Sequence, residues 1–171
     1  MREIVQDGDP VLRKEAQEVP EELFGTPELK AILTDMGEAL DSQKDGVALA
    51  APQIGISYRI FIVRYDRTLP PPAESLPPHE PSIGIFINPE FIKASRKREE
   101  MDEGCLSVRG VYGKTARHAQ ATVEARTFEG GTFQRGGGGL LAQIFQHETD
   151  HLNGILFTDH AISTMQVQPH D

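Results

Sequence analysis

The sequence predicts an α+β fold, with mainly antiparallel sheets packed around a central helix carrying H-E-x-x-H. Two observations set the class. Helical periodicity occurs twice, and several strand-like runs lie between without regular βαβ alternation. The Gly130-Gly131 turn signal adds a hairpin, which makes the pairing antiparallel there.

Each element has its own cue. Thr26 is placed to cap the first helix, with Pro27 at its first position. Leu29, Ile32, Leu33, Met36 and Leu40 form one apolar stripe, and Asp45-Gly46 predicts a stop nearby. Strands are expected over 59–65, 84–88 (ended by Pro89), about 90–95 and 118–128. In the last, Ala121, Val123, Ala125 and Thr127 share a face opposite Thr122, Glu124 and Arg126. Residues 132–135 would be its hairpin partner. Gly136 to Gly139 read as a four-glycine break leading into the next helix. No Lys-Ser/Thr pair follows them to make a phosphate cradle. The second helix is expected over about 140–153, with Leu141, Ile144, Phe145 and Leu152 on its apolar side and Gly154 as its stop. Ile155, Leu156 and Phe157 read as a short strand or anchor. Residues 66–82 hold six of the 12 prolines and read as an irregular surface loop between two strands.

Composition narrows the function. A length of 171 residues predicts one domain, 1–171, with a core that needs no disulfides. The net charge of −9 argues against stable nucleic-acid binding. No apolar run is long enough for a transmembrane helix, and the N-terminus lacks the apolar stretch of a signal peptide. The single cysteine excludes an internal disulfide and fits a reducing compartment.

His147-Glu148-Thr149-Asp150-His151 carries the strongest chemistry. Four residues make about one helical turn, so both imidazoles share a face and can bind one metal ion. Glu148 is turned about 100° from His147 and suits a general base beside that ion. The same five residues could also decorate a solvated helix face. A catalytic site needs a third protein ligand and an open position. Cys105, in Asp102-Glu103-Gly104-Cys105-Leu106-Ser107, is a candidate, against the plain alternative of a small buried hydrophobe. A second glycine-rich turn is expected at Gly110 and Gly113. The third patch runs from Gly46 to Gly55. Its small residues allow close substrate approach, and Gln53 could donate to an oxyanion; a packed strand and loop explains it equally well.

These three patches, in this order, resemble the peptide deformylase family. The pattern G-x-G-L-A-A-x-Q-x-G is met over 46–55, except that Ala48 replaces the second glycine. E-G-C-L-S is met over 103–107, and Q-H-E-x-D-H-L-x-G over 146–154. Residues 6–13 and 156–159 are also similar to family sequence. Only the proline-rich loop and the last dozen residues fall outside.

The resemblance implies that Cys105, His147 and His151 ligate one metal ion and that Glu148 is general base, then general acid. It implies that Gln53 and the Leu106 N–H hold the oxyanion, and that Val47 and Ala48 pair with the substrate peptide as an added strand. Glu103 and Gln146 would orient the ligands, and Arg117 would pair with Asp45. The implied reaction removes the formyl group from the formylmethionine of newly synthesised polypeptides. The implied ion is Fe²⁺, with Zn²⁺, Ni²⁺ or Co²⁺ as substitutes. An apolar pocket near Leu140 and Ile144 would take the methionine side chain. The family and the lone cysteine imply the bacterial cytosol, or a processed organellar form, and the chain's size suggests a monomer. With so little chain after Asp159, any ribosome contact would be transient.

Ala48 is the main departure, since its methyl would narrow the cleft. A metallopeptidase is the first rival; its third ligand would lie downstream, at Asp159 or His160, leaving E-G-C-L-S unexplained. A catalytically dead binding protein is the second, but Glu148 and all three ligand candidates are present.

Overall fold

A computed structural model describes residues 2–167. The expected domain, 1–171, therefore runs past the described residues at both ends. The elements in order are α1 (Pro27–Asp41), β1 (Ala48–Ala50), β2 (Ile60–Arg64), α2 (Tyr65–Thr68), β3 (Ile83–Ala94), β4 (Arg98–Cys105), β5 (Val108–His118), β6 (Gln120–Arg126), β7 (Thr132–Gly138), α3 (Gly139–Leu152) and β8 (Ser163–Gln166). Among the described residues they form a five-stranded sheet, β1-β2-β3-β6-β7, and a three-stranded sheet, β4-β5-β8. All strand pairs are antiparallel. The α+β class is as predicted.

α1 starts as the sequence indicates, with the Thr26 hydroxyl accepting from the Leu29 N–H at 3.2 Å. It ends at Asp41, earlier than the Asp45-Gly46 signal, and two turns fill the interval. The strands expected at 84–88 and 90–95 are one strand, β3. Pro89 does not end it, because the register slips between Ile87 and Glu90 and Asn88 takes a φ of 50°. A bulge relieves proline of its missing ladder bond. The Asn88 side chain is fixed there by both backbone groups of Val19, at 2.8 and 3.1 Å.

Gly136, Gly137 and Gly138 also differ from expectation: they continue β7, and only Gly139, at φ 56°, makes the turn. A Cβ on Gly137 would lie 2.7 Å from the Leu141 side chain. The glycines thus let α3 pack close against the strand before it. Gly110 and Gly113 are not a turn but part of β5, and Phe157–Asp159 is a 3-10 turn rather than a strand. Leu156 and Phe157 are buried, as an anchor requires.

α3 is the central element. Nine of its 14 residues are buried. Phe145 packs with Phe61 and Phe86 against the five-stranded sheet, while α1 covers a second cluster containing Leu40, Leu49 and Ile62. Burying α3 so completely also buries Gln143, Gln146, Glu148 and His151. An unpaired buried polar group is costly, and Gln143 and Gln146 are bonded inside the protein, whereas Glu148 Oε2 and His151 Nδ1 have no partner among the described residues.

Candidate metal centre

His147 and His151 lie one turn apart on α3, and Cys105 ends β4. Their donor atoms converge. His151 Nε2 is 3.2 Å from His147 Nε2 and 3.3 Å from Cys105 Sγ, and the three donors lie within 4.8 Å of one another. Donors on a tetrahedral ion bonded at about 2.1 Å (N) and 2.3 Å (S) would sit roughly 3.4–3.6 Å apart. The spacing and the one-sulfur, two-nitrogen chemistry therefore fit a divalent transition metal with one position left for a small ligand.

Glu103 fixes one histidine. Its Oε2 accepts from His147 Nδ1 at 2.8 Å, which turns Nε2 toward the other donors. The carboxylate is buried and surrounded. Oε1 accepts from Thr115 Oγ1 (2.9 Å), Arg117 Nε (3.0 Å) and Gln143 Nε2 (3.2 Å), and Oε2 also accepts from Arg117 Nη2 (2.6 Å). Burial opposes its ionisation, but His147 and Arg117 win and hold it well below the usual carboxylate range. Arg117 continues outward to Asp150 at 2.7 Å. Burial opposes the charged form of His147 too, yet Cys105 and Glu103 raise it above the ordinary imidazole range. A metal ion on the three donors would displace that proton. His151 moves the other way, lowered by burial and by His147.

Glu148 faces the same space without joining the donor set. Its Oε1 is 4.0 Å from His147 Nε2, and its buried Oε2 has no partner among the described residues. Burial pushes its carboxyl up to about 7. A bound cation would pull it down again. An unpartnered carboxylate beside a metal position is suited to proton transfer.

Cys105, His147 and Glu148 open onto a cleft of ≈ 330 Å³, inside the range of small-ligand pockets, about 300–1,000 Å³. Val47, Ala48 and Gln53 line one wall, Leu106 and Tyr112 another, and Leu140 and Ile144 contribute apolar surface. β1 is an edge strand beside this cleft. The Val47 carbonyl accepts from the Arg64 N–H at 2.8 Å. Ladder alternation then turns the Ala48 N–H and C=O to the open edge.

The sequence profile of the family described as Polypeptide deformylase matches residues 1–167. The chain belongs to that family. Peptide deformylases are metal-dependent enzymes that remove the N-formyl group from nascent peptides. A peptide deformylase from Dehalococcoides mccartyi is 36% identical over 167 residues, covering 98% of this chain and 90% of that protein. The actinonin-bound class I type b peptide deformylase from Acinetobacter baumannii matches with a TM-score of 0.81 at 30% identity, covering 94% of this chain and 98% of that one. The Met-Ala-Ser-bound structure from the same organism gives 0.80 at 30% identity, covering 92% and 96%.

The three deformylase motifs thus meet in one cleft, with differences in detail. Gln53 is buried; its Oε1 accepts from the Ala50 N–H at 2.9 Å, and its Nε2 donates to Ser107 Oγ at 3.1 Å and lies 3.8 Å from Cys105 Sγ. The Gln146 side-chain amide makes its hydrogen bonds away from Cys105, His147 and His151. It clamps both backbone groups of His118 (2.8 and 3.0 Å) and so ties α3 to the end of β5. Arg117 does not pair with Asp45, which lines the cleft; its partners are Glu103 and Asp150, because β5 alternation turns it inward. Asp159 is engaged by Arg13 at 2.6 Å and by the Leu156 N–H at 3.1 Å, and the donor cluster is completed by Cys105 instead. The Ala48 methyl borders the cleft but also belongs to the core cluster with Phe61 and Phe145. Sequence reasoning missed Gln143, Thr115 and Asp150. Gln143 had a signal: it precedes His147 by four residues and so shares its helix face.

Proposed function

We propose that this chain is a peptide deformylase acting on N-formylmethionyl nascent peptides. The observation that carries the reading is the convergence of Cys105 Sγ, His147 Nε2 and His151 Nε2, with the unpartnered Glu148 carboxylate 4.0 Å from His147. Cys105, His147 and His151 would hold the ion, Fe²⁺ by preference, with Zn²⁺, Ni²⁺ or Co²⁺ substituting. When bound, the ion acts as a Lewis acid that polarises oxygen and lowers the pKa of water.

The chain's own residues supply the rest. The Val47 N–H and the Ala48 backbone groups bind the peptide as a strand added to β1. Leu140 and Ile144 contact the methionine side chain. Glu148 takes the proton from the attacking water as oxygen adds to the formyl carbon. The Gln53 amide and the Leu106 N–H donate to the oxygen that gains charge. Glu148 then returns its proton to the leaving nitrogen, the C–N bond breaks, and formate and a free amine result. Glu103 keeps His147 in the tautomer that presents Nε2.

Residues 1–171 act in this reading as one catalytic domain, a monomer in the bacterial cytosol that meets nascent chains by transient ribosome contact. The test is anaerobic formate release from formyl-Met-Ala-Ser by Fe²⁺-loaded protein, beside Glu148→Ala. Turnover reduced by about 10²–10⁴-fold in a variant that still binds metal supports the assignment. No turnover by the fully loaded wild type overturns it.

A further inference from the structure

The proline-rich segment is exposed over most of its length, but its root is fixed. The Tyr65 N–H donates to the Ser82 carbonyl (2.9 Å), and the Ser82 N–H donates to Asp66 Oδ1 (3.0 Å). α2 makes both ties and carries Arg67, whose side chain turns away from the insertion. Its Nη1 donates to the Gly46 carbonyl at 2.8 Å and its Nη2 to Asp41 Oδ1 at 2.9 Å. Asp41 also holds Arg64, so the end of α1, the end of β2 and α2 share one charged junction.

The Gly46 carbonyl matters because of what shares its peptide plane. The C=O of Gly46 and the N–H of Val47 belong to one rigid trans unit and point in opposite directions. Fixing the carbonyl aims the N–H. Glycine does not fix its own dihedrals, having no Cβ. A Cβ at Gly46 would meet Leu40 and Leu106 side-chain carbons at 2.9 and 3.0 Å, so this position has no room for a side chain that would stiffen it. On the other side of the same residue, the Val47 carbonyl is already tied to β2.

We propose that Arg67 is a positioning residue: it holds the Gly46–Val47 peptide plane from outside the cleft, so that the Val47 N–H is presented to the substrate backbone. The inference rests on the reading of Val47 and Ala48 as the peptide-binding edge. It gives the proline-rich insertion a task, since its root is what carries the arginine to the cleft wall.

The test compares metal-loaded wild type, Arg67→Ala and Arg67→Lys. Backbone hydrogen exchange over residues 46–48 is read without substrate, and KM and kcat are read with formyl-Met-Ala-Ser. Loss of one such hydrogen bond predicts exchange about three- to tenfold faster at the Gly46 N–H, which donates to the Gln43 carbonyl at 3.2 Å, in Arg67→Ala, with α3 unchanged. It predicts a KM raised by about the same factor, kcat within about twofold, and an intermediate value for Arg67→Lys, which keeps one donor. Unchanged exchange at the Gly46 N–H overturns the proposal, as does a fall in kcat at constant KM. If wild type releases no formate, the reading of function falls, and the exchange comparison alone still decides the role of Arg67.

Discussion

The two walls of the cleft are built on different physics. The α3–β4–β5 wall is a buried charge network: Glu103 is surrounded by His147, Arg117, Thr115 and Gln143, and Arg117 reaches Asp150. The β1 wall has backbone groups at a sheet edge, held from behind by half-exposed arginines on Asp41. The first wall must fix donor atoms to a few tenths of an ångström, which needs saturated, desolvated partners. The second must accept an incoming strand, which needs an unpaired edge. In the proposed reading, stability and metal binding are concentrated on one side and peptide recognition on the other.

Substitutions on the two sides should therefore differ in kind and in size. The largest stability effect is expected at Arg117. Arg117→Ala leaves Glu103 buried without its guanidinium partner, and breaking such a buried pair costs about 3–5 kcal/mol. Urea unfolding would read this, and a loss below about 1 kcal/mol would show that the network is not what holds the wall. Gln146→Ala is next. It strips both His118 backbone groups of their partner, for a cost of about 1–3 kcal/mol, while metal content stays at the wild-type value. Metal loss without destabilisation would return Gln146 to the site.

The smallest effect belongs to the exposed junction. Hydrogen bonding to Arg64 holds the Asp41 carboxyl below its ordinary range. A carboxyl lowered in the folded state contributes stability above its unfolded pKa, about 3.9, and loses it as pH falls through the folded value. Asp41 is partly exposed, so the contribution is no more than about 1 kcal/mol. The Tm gap between wild type and Asp41→Asn should be open at pH 6 and close as pH falls toward 3. A gap that stays constant across that range would contradict the ion-pair account.

Much of this was legible in the sequence because the deciding cues were local. Thr26-Pro27 marked the start of α1, the i, i+4 histidines marked one helix face, and the 121–123–125 alternation marked the buried side of β6. The errors arose where tertiary packing overrode a local signal. Pro89 and the 136–138 glycines read as breaks, yet a bulge and a close helix approach make them strand residues. The partners of Arg117 could not be read locally. They lie 14 residues back and 33 residues on, and only the β4–β5 pairing and the docking of α3 bring them together. The glycines in β5 hid that strand, and with it the face on which Gly113, Thr115 and Arg117 alternate toward Glu103.

In the proposed reading Cys105 completes the metal site and divides this architecture from a peptidase with a downstream ligand. Metal content of Cys105→Ala, measured by elemental analysis beside wild type after loading with Fe²⁺ or Zn²⁺, tests it directly. One ion per wild-type chain is expected, with retention in the variant reduced by at least about tenfold. A folded Cys105→Ala protein that keeps a full equivalent of metal would contradict that reading.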